Sequence, residues 1–193
     1  MVNKIAKIVR MITVAPVMAL IMLLTLYISN PKLFGRVADL ILSILFLVIF
    51  PLLAYPLQPF IKHYKDKGRD GQRTLAMVFA VTGYVAGCLS ALIMRAPKTV
   101  LIIYLSYLLS GALIFLINKL LRFKVSGHAC GVTGPFAILI CFGQMGGLIG
   151  IPMLAVVCWA SLYMKRHTVS QLIGGAVIPV VALSFILCIS LVI

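Results

Sequence analysis

What most constrains this chain is a series of apolar runs, each near the length of a bilayer crossing and separated by short polar joints. They are Met11–Ser29, Ala38–Leu57, Leu75–Met94, Thr99–Leu120, Ala129–Gly147, Ile149–Tyr163 and Leu172–Ile193. Crossing a hydrocarbon core takes roughly 20 apolar residues in a helix, because inside lipid each backbone amide must find its partner within its own segment. The sixth run is short and extends through its polar end. The sequence therefore predicts an all-α, polytopic membrane bundle of six or seven transmembrane helices, one integral membrane domain over residues 1–193. Composition agrees, at 63% hydrophobic and 10% charged residues with a mean hydropathy of +1.20. A water-soluble domain of this size has no need of so much apolar surface.

Lys4, Lys7 and Arg10 give the first run a basic start. That run is longer than a signal-peptide core and ends without an Ala-x-Ala site, so a retained first helix is expected. Cys88, Cys130, Cys141, Cys158 and Cys188 lie in or beside apolar runs without metal-ligand spacing. They read as small packing residues. No metal or other cofactor is implied, because carboxylates are too few: Asp39, Asp66 and Asp70 are the only acidic residues.

The net charge of +14 sits in short joints between spans, with no aromatic-rich soluble domain to read bases, which excludes a nucleic-acid partner. Basic joints orient a membrane protein and touch anionic lipid. With seven alternating spans, one face carries Lys4, Lys7, Arg10, Lys62, Lys65, Lys67, Arg69, Arg73, Lys119, Arg122, Lys124, Lys165 and Arg166. The other carries Lys32, Arg36, Arg95 and Lys98, which would put the N-terminus in the cytoplasm. A phosphate site, however, gathers cations on its own face whatever the topology. Without the clusters after spans two, four and six, the remaining basic residues divide almost evenly, and orientation stays open.

Alternation also places those three joints together. The first is Lys62-His63-Tyr64-Lys65-Asp66-Lys67-Gly68-Arg69-Asp70-Gly71-Gln72-Arg73. The second is Lys124-Val125-Ser126-Gly127-His128, and the third is Lys165-Arg166-His167-Thr168-Val169-Ser170-Gln171. Two of the chain's 3 His stand in the second and third clusters. Two imidazoles beside cations and a Ser-Gly turn suit phosphoester chemistry: one ring attacks phosphorus, the other protonates the leaving oxygen, and the cations hold phosphate. Each cluster also has a plainer reading. Lys62–Arg73 would be a loop touching headgroups, Ser126-Gly127 a capping turn, and His167 an interfacial anchor. Haem ligation fits poorly, since axial ligands usually sit within helices rather than among cations.

In order and spacing, the clusters resemble the type-2 phosphatidic acid phosphatase superfamily, which includes the vanadium haloperoxidases. Ser126-Gly127-His128, opening an apolar helix, is similar to its second signature, Pro-Ser-Gly-His. Residues 160–175 resemble the third, in which Ser-Arg, five residues, His, three residues and Asp precede a small-residue helix start. Tyr163, His167, Ser170 and Gly174-Gly175 fall in register. The first signature, Lys, six residues, Arg-Pro, has a loose counterpart in Lys62 with Arg69, or Asp66 with Arg73, without the Pro. The resemblance covers about residues 60–180. It implies a helical bundle of phosphatidic acid phosphatase type that hydrolyses a lipid phosphate monoester or pyrophosphate. His167 would be the nucleophile and His128 the acid for the leaving alkoxide. The Ser126 hydroxyl and Gly127 amide would bind phosphate oxygens, and Arg69 or Arg73 with Lys62 or Lys65 would clamp it.

Two positions depart from the pattern. Ser161 stands where the family has its Arg, and Gln171 where it has the Asp that orients the nucleophilic ring. Gln orients a ring without supplying charge, and Arg166 is the nearest replacement for the missing cation. A lipid phosphotransferase and a non-catalytic lipid-binding or transport relative are therefore the alternatives. The expected partners are a lipid phosphate and the bilayer of the cell membrane; lipid identity and oligomeric state are not legible in the sequence.

Overall fold

The computed structural model describes residues 2–192, with the side chains of Arg69, Leu191 and Val192 outside the description. Its long elements are α1 (Val2–Ile12), α2 (Ala15–Ser29), α3 (Val37–Ile44), α4 (Phe50–Leu57) and α5 (Gly68–Ile93). They continue with α6 (Lys98–Leu120), α7 (Gly127–Cys141), α8 (Gly150–Tyr163) and α9 (Val169–Val192). No strand occurs among the described residues.

Five helical stretches are long and apolar enough to cross a membrane: Val37–Phe60, Asp70–Ile93, Lys98–Leu120, Met145–Tyr163 and Val169–Ser190. The pair α1–α2, bent by 53°, makes a sixth if it forms one broken span and a re-entrant loop if it does not. The upper expectation of seven full spans is not met, for a local reason. Gly143 adopts φ +79°, a backbone that Gly tolerates best, and its N–H and that of Gln144 close back on Ile140 and Leu139. The run Ala129–Gly147 therefore yields a 15-residue helix. At 1.5 Å per residue, α7 reaches only about 22 Å, short of a bilayer core of about 30 Å.

The first apolar run is also interrupted. Val14 is extended (φ −63°, ψ 146°), and Pro16, with no N–H to give, sits in the first turn of α2. Between α3 and α4 the chain stays helical through a widened turn, Leu45–Ile49, in which Phe50 N–H reaches back to Leu45. Pro51 follows directly and removes the next ordinary helical bond.

Outer faces remain apolar, with Val78, Val85, Leu89 and Ile93 exposed on α5 and Ile173, Val177, Val181 and Phe185 on α9. Such faces suit lipid, and the sole ion pair among the described residues, Arg36–Asp39 at 3.0 Å, lies at a helix start. In lipid, apolar burial gives little drive for helices to associate, so close packing over small residues matters more. Short α7 is the hub, packed against α2, α8 and α9. A side chain at Gly131 would strike the methyl of Ala15, and one at Gly175 would run into the carbonyl oxygen of Ser126. Gly175 thus lets α9 cross the Ser126-Gly127 turn at backbone distance.

Candidate functional site

The joint between α6 and α7 is pinned from both sides. Asn118 Oδ1 accepts the Val125 N–H at 2.7 Å, and the Ser126 N–H donates to the Gln171 carbonyl at 3.0 Å. Ser126 is the N-cap of α7, its Oγ accepting the Ala129 N–H at 3.3 Å, and it is fully buried. Gly127 follows as the first helical residue, with open space where a Cβ would stand. His128 comes next, ahead of the apolar stretch of α7.

The third cluster is aimed by the way α8 ends. Arg166 N–H donates to the Ser161 carbonyl and Lys165 N–H to the Leu162 carbonyl, both at 2.9 Å, a Schellman closure with Lys165 at φ +51°. A side chain in that left-handed conformation costs roughly 1–2 kcal/mol, partly offset by placing a cation at a helix C-terminus. The turn carries Arg166 and His167 onto the same cavity that His128 borders.

Gln171 then performs two jobs. Its Oε1 accepts the Thr168 N–H at 3.2 Å, while its own N–H reaches Thr168 Oγ1 at 3.4 Å. This is a reciprocal capping box that starts α9. The same Oε1 lies 3.1 Å from His167 Nδ1. An oxygen already taking an amide N–H is an acceptor, so His167 carries its proton on Nδ1 and presents an Nε2 lone pair.

His128 has the opposite arrangement. Thr13 Oγ1 donates its one proton to the Val9 carbonyl at 2.7 Å and lies 2.8 Å from His128 Nε2. That nitrogen must therefore be the donor, leaving Nδ1 free to exchange a proton. The contact comes from the turn that follows α1, and a second comes from the last turn of α1 itself: Arg10 Nη1 donates to Ser161 Oγ at 2.5 Å.

These groups border one cavity of about 760 Å³. Lys7, Arg10, Arg73, Gly127, His128, Arg166 and His167 line it where the helices end. Met77, Ala80 and Val81 of α5, Ile114 of α6 and Gly134 and Ile138 of α7 line it deeper. From Gly127 to Ile138 the wall descends about 16 Å at the helical rise. No carboxylate is among the described lining residues. Burial, together with the cations of Arg73, Arg10 and Lys124, holds the His167 imidazole below its usual 6.5 against the opposing Gln171 hydrogen bond. Burial pushes His128 down to about 4, helped by Arg10 and by His167. Both rings are neutral at neutral pH, and each is close enough to feel its neighbours' charge.

Of the expected site residues, the structure brings together Arg73, Gly127, His128, Arg166 and His167, with Gln171 behind the last. Three are not brought in. Lys62 and Lys65 are exposed and do not line the cavity, because Gln58 Nε2 ties the joint to the carbonyls of Tyr64 (3.2 Å) and Gly68 (2.7 Å). The Ser126 oxygen accepts the Ala129 N–H of its own helix and does not line the cavity, so only the capping reading of that side chain has a contact to support it. The Arg69 side chain lies outside the described residues. Conversely, sequence reasoning missed Arg10, Thr13 and Asn118. For the first two the signal was the spacing Lys4, Lys7, Arg10, which puts one polar face on α1 and points on to Thr13 just beyond its end.

No protein-family model, curated protein or solved structure matches this chain.

Proposed function

We propose that the protein is a multi-pass lipid phosphatase of the cell membrane, of the phosphatidic acid phosphatase type, acting on a lipid phosphate monoester or pyrophosphate. The carrying observation is the cavity itself: two neutral imidazoles protonated on different nitrogens, cations with no carboxylate among the described lining residues, and a mostly apolar wall descending beneath them. The cations and the Gly127 amide at the N-terminus of α7 suit a phosphate dianion. The apolar wall suits a lipid tail.

In this reading His167 Nε2 attacks phosphorus as the bond from phosphorus to the lipid oxygen breaks. The departing oxygen takes a proton from His128, which acquires it once the bound phosphate offsets the neighbouring cations. The first product is the lipid alcohol, or the lipid monophosphate from a pyrophosphate substrate. Neutral His128 then removes a proton from water as that water attacks the phosphohistidine. The P–N bond breaks, inorganic phosphate leaves and His167 is regenerated. Gln171 keeps the His167 proton on Nδ1 so that Nε2 stays available.

The test is phosphate release by the purified protein in detergent from dioleoyl phosphatidic acid, a lysophosphatidic acid and a polyprenyl pyrophosphate. Release abolished by His167→Ala supports the reading. Binding without release from any of them supports a non-catalytic relative, and transfer of phosphate to an added alcohol supports a phosphotransferase.

A further inference from the structure

Arg10 and Ser161 are 151 positions apart in sequence, yet they form one of the few side-chain hydrogen bonds that join distant helices at the cavity. α1 departs from the axis of α2 by 53° and packs on α8, which brings Lys7, Arg10 and Met11 to the cavity wall. Ser161 is fully buried on α8, so its hydroxyl is a fixed point that holds the half-buried guanidinium. The Arg10 charge reaches both imidazoles. A guanidinium carries its five donors in a planar fork, a geometry that matches phosphate oxygens.

We infer that Arg10 is a phosphate-binding residue of this site, held in position by Ser161, so that the N-terminal helix completes the site. This rests on the phosphatase reading above. The position after Ala160 then needs no Arg of its own: its Ser anchors an Arg delivered from another helix. The arrangement also makes a specific exchange possible. A long basic side chain at 161 would start from the place the Arg10 guanidinium now reaches. With Arg10 present, the two cations collide; with Arg10 truncated, the vacated space receives the new one.

The experiment compares the wild type, Arg10→Ala, Arg10→Lys, Ser161→Ala, Ser161→Arg and the double variant Arg10→Ala/Ser161→Arg in detergent. Readouts are phosphate release from dioleoyl phosphatidic acid and inhibition by orthovanadate. Arg10→Ala is expected to lose about 100-fold or more in kcat/KM, the scale of removing one oxyanion donor. Orthovanadate inhibition should weaken with it. Arg10→Lys should recover only part, having a charge but no fork. Ser161→Ala, which frees the guanidinium without removing it, should raise KM more than it lowers kcat. Ser161→Arg alone should be impaired, and the double variant should exceed both of its parents. That reciprocal rescue also separates a lost ligand from a misfolded helix. If the wild type releases phosphate but Arg10→Ala matches it, or the double variant is no better than its parents, Arg10 is not a phosphate ligand. A wild type that neither releases phosphate nor binds orthovanadate overturns this inference and the phosphatase reading together.

Discussion

Gln171 Oε1 accepts from His167 Nδ1 at 3.1 Å and from the Thr168 amide at 3.2 Å, so one oxygen both starts a helix and fixes the proton of the candidate nucleophile. A carboxylate accepts a hydrogen bond from an imidazolium roughly twice as strongly as a neutral amide does.

Replacing Gln171 by Glu keeps the capping box and adds charge beside a ring that becomes cationic during phosphoryl transfer. Gln171→Glu is expected to raise kcat and, by stabilising the protonated ring, to move the acid limb of the pH profile upward. Gln171→Ala is expected to lower both activity and melting temperature, the latter by a cap's worth of about 1 kcal/mol. Rate profiles and thermal melts of the two variants check both halves.

The pH dependence has a definite sign. His167 must be neutral to attack, and its pKa lies below the usual 6.5 in the free protein. As pH falls from neutral, the acid limb of kcat/KM should therefore have its midpoint below 6.5, because that parameter reports the free enzyme. A midpoint at or above 6.5 would show that burial and the neighbouring cations do not depress this ring.

His128→Ala should slow release from a monoester more than from a pyrophosphate. An alkoxide needs a proton to leave, whereas a phosphate leaving group needs it much less. Comparing kcat on phosphatidic acid and on a polyprenyl pyrophosphate gives the answer. Thr13→Val, which removes the partner of His128 Nε2, should reduce the same ratio without abolishing turnover.

At Gly127 a Cβ meets nothing within 4 Å, so Gly127→Ala should fold normally while its methyl intrudes where phosphate would approach the amide. The expected result is a raised KM with an unchanged melting temperature. Gly175→Ala should do the reverse of harmless: its methyl runs into the Ser126 carbonyl, and thermal stability should drop.

Much of the fold was legible because bilayer-length apolar runs leave few alternatives. The rarity of His made His128 and His167 conspicuous. What the sequence hid was geometric. The α7 stop depends on the backbone of Gly143, so a run of bilayer length yields only a 15-residue helix at the centre of the bundle. Ser126 carries its motif's hydroxyl, yet that hydroxyl faces its own helix. Lys62 and Lys65 had suitable charge, but the Gln58 anchor that holds their joint is no motif. Arg10 sits in a basic N-terminal stretch whose charge could equally serve as an orientation signal, so its spacing alone singles out no site. Only the 53° bend between α1 and α2 turns that stretch toward Ser161.

The most direct test is to trap the covalent intermediate. The protein is mixed with phosphatidic acid carrying radiolabelled phosphate, quenched in alkali and digested. The account predicts an acid-labile, alkali-stable label on the peptide containing His167, increased in His128→Ala if water attack slows more than its formation, and missing from His167→Ala. Phosphate release by the wild type with no label at His167, or a label that persists in His167→Ala, would contradict it.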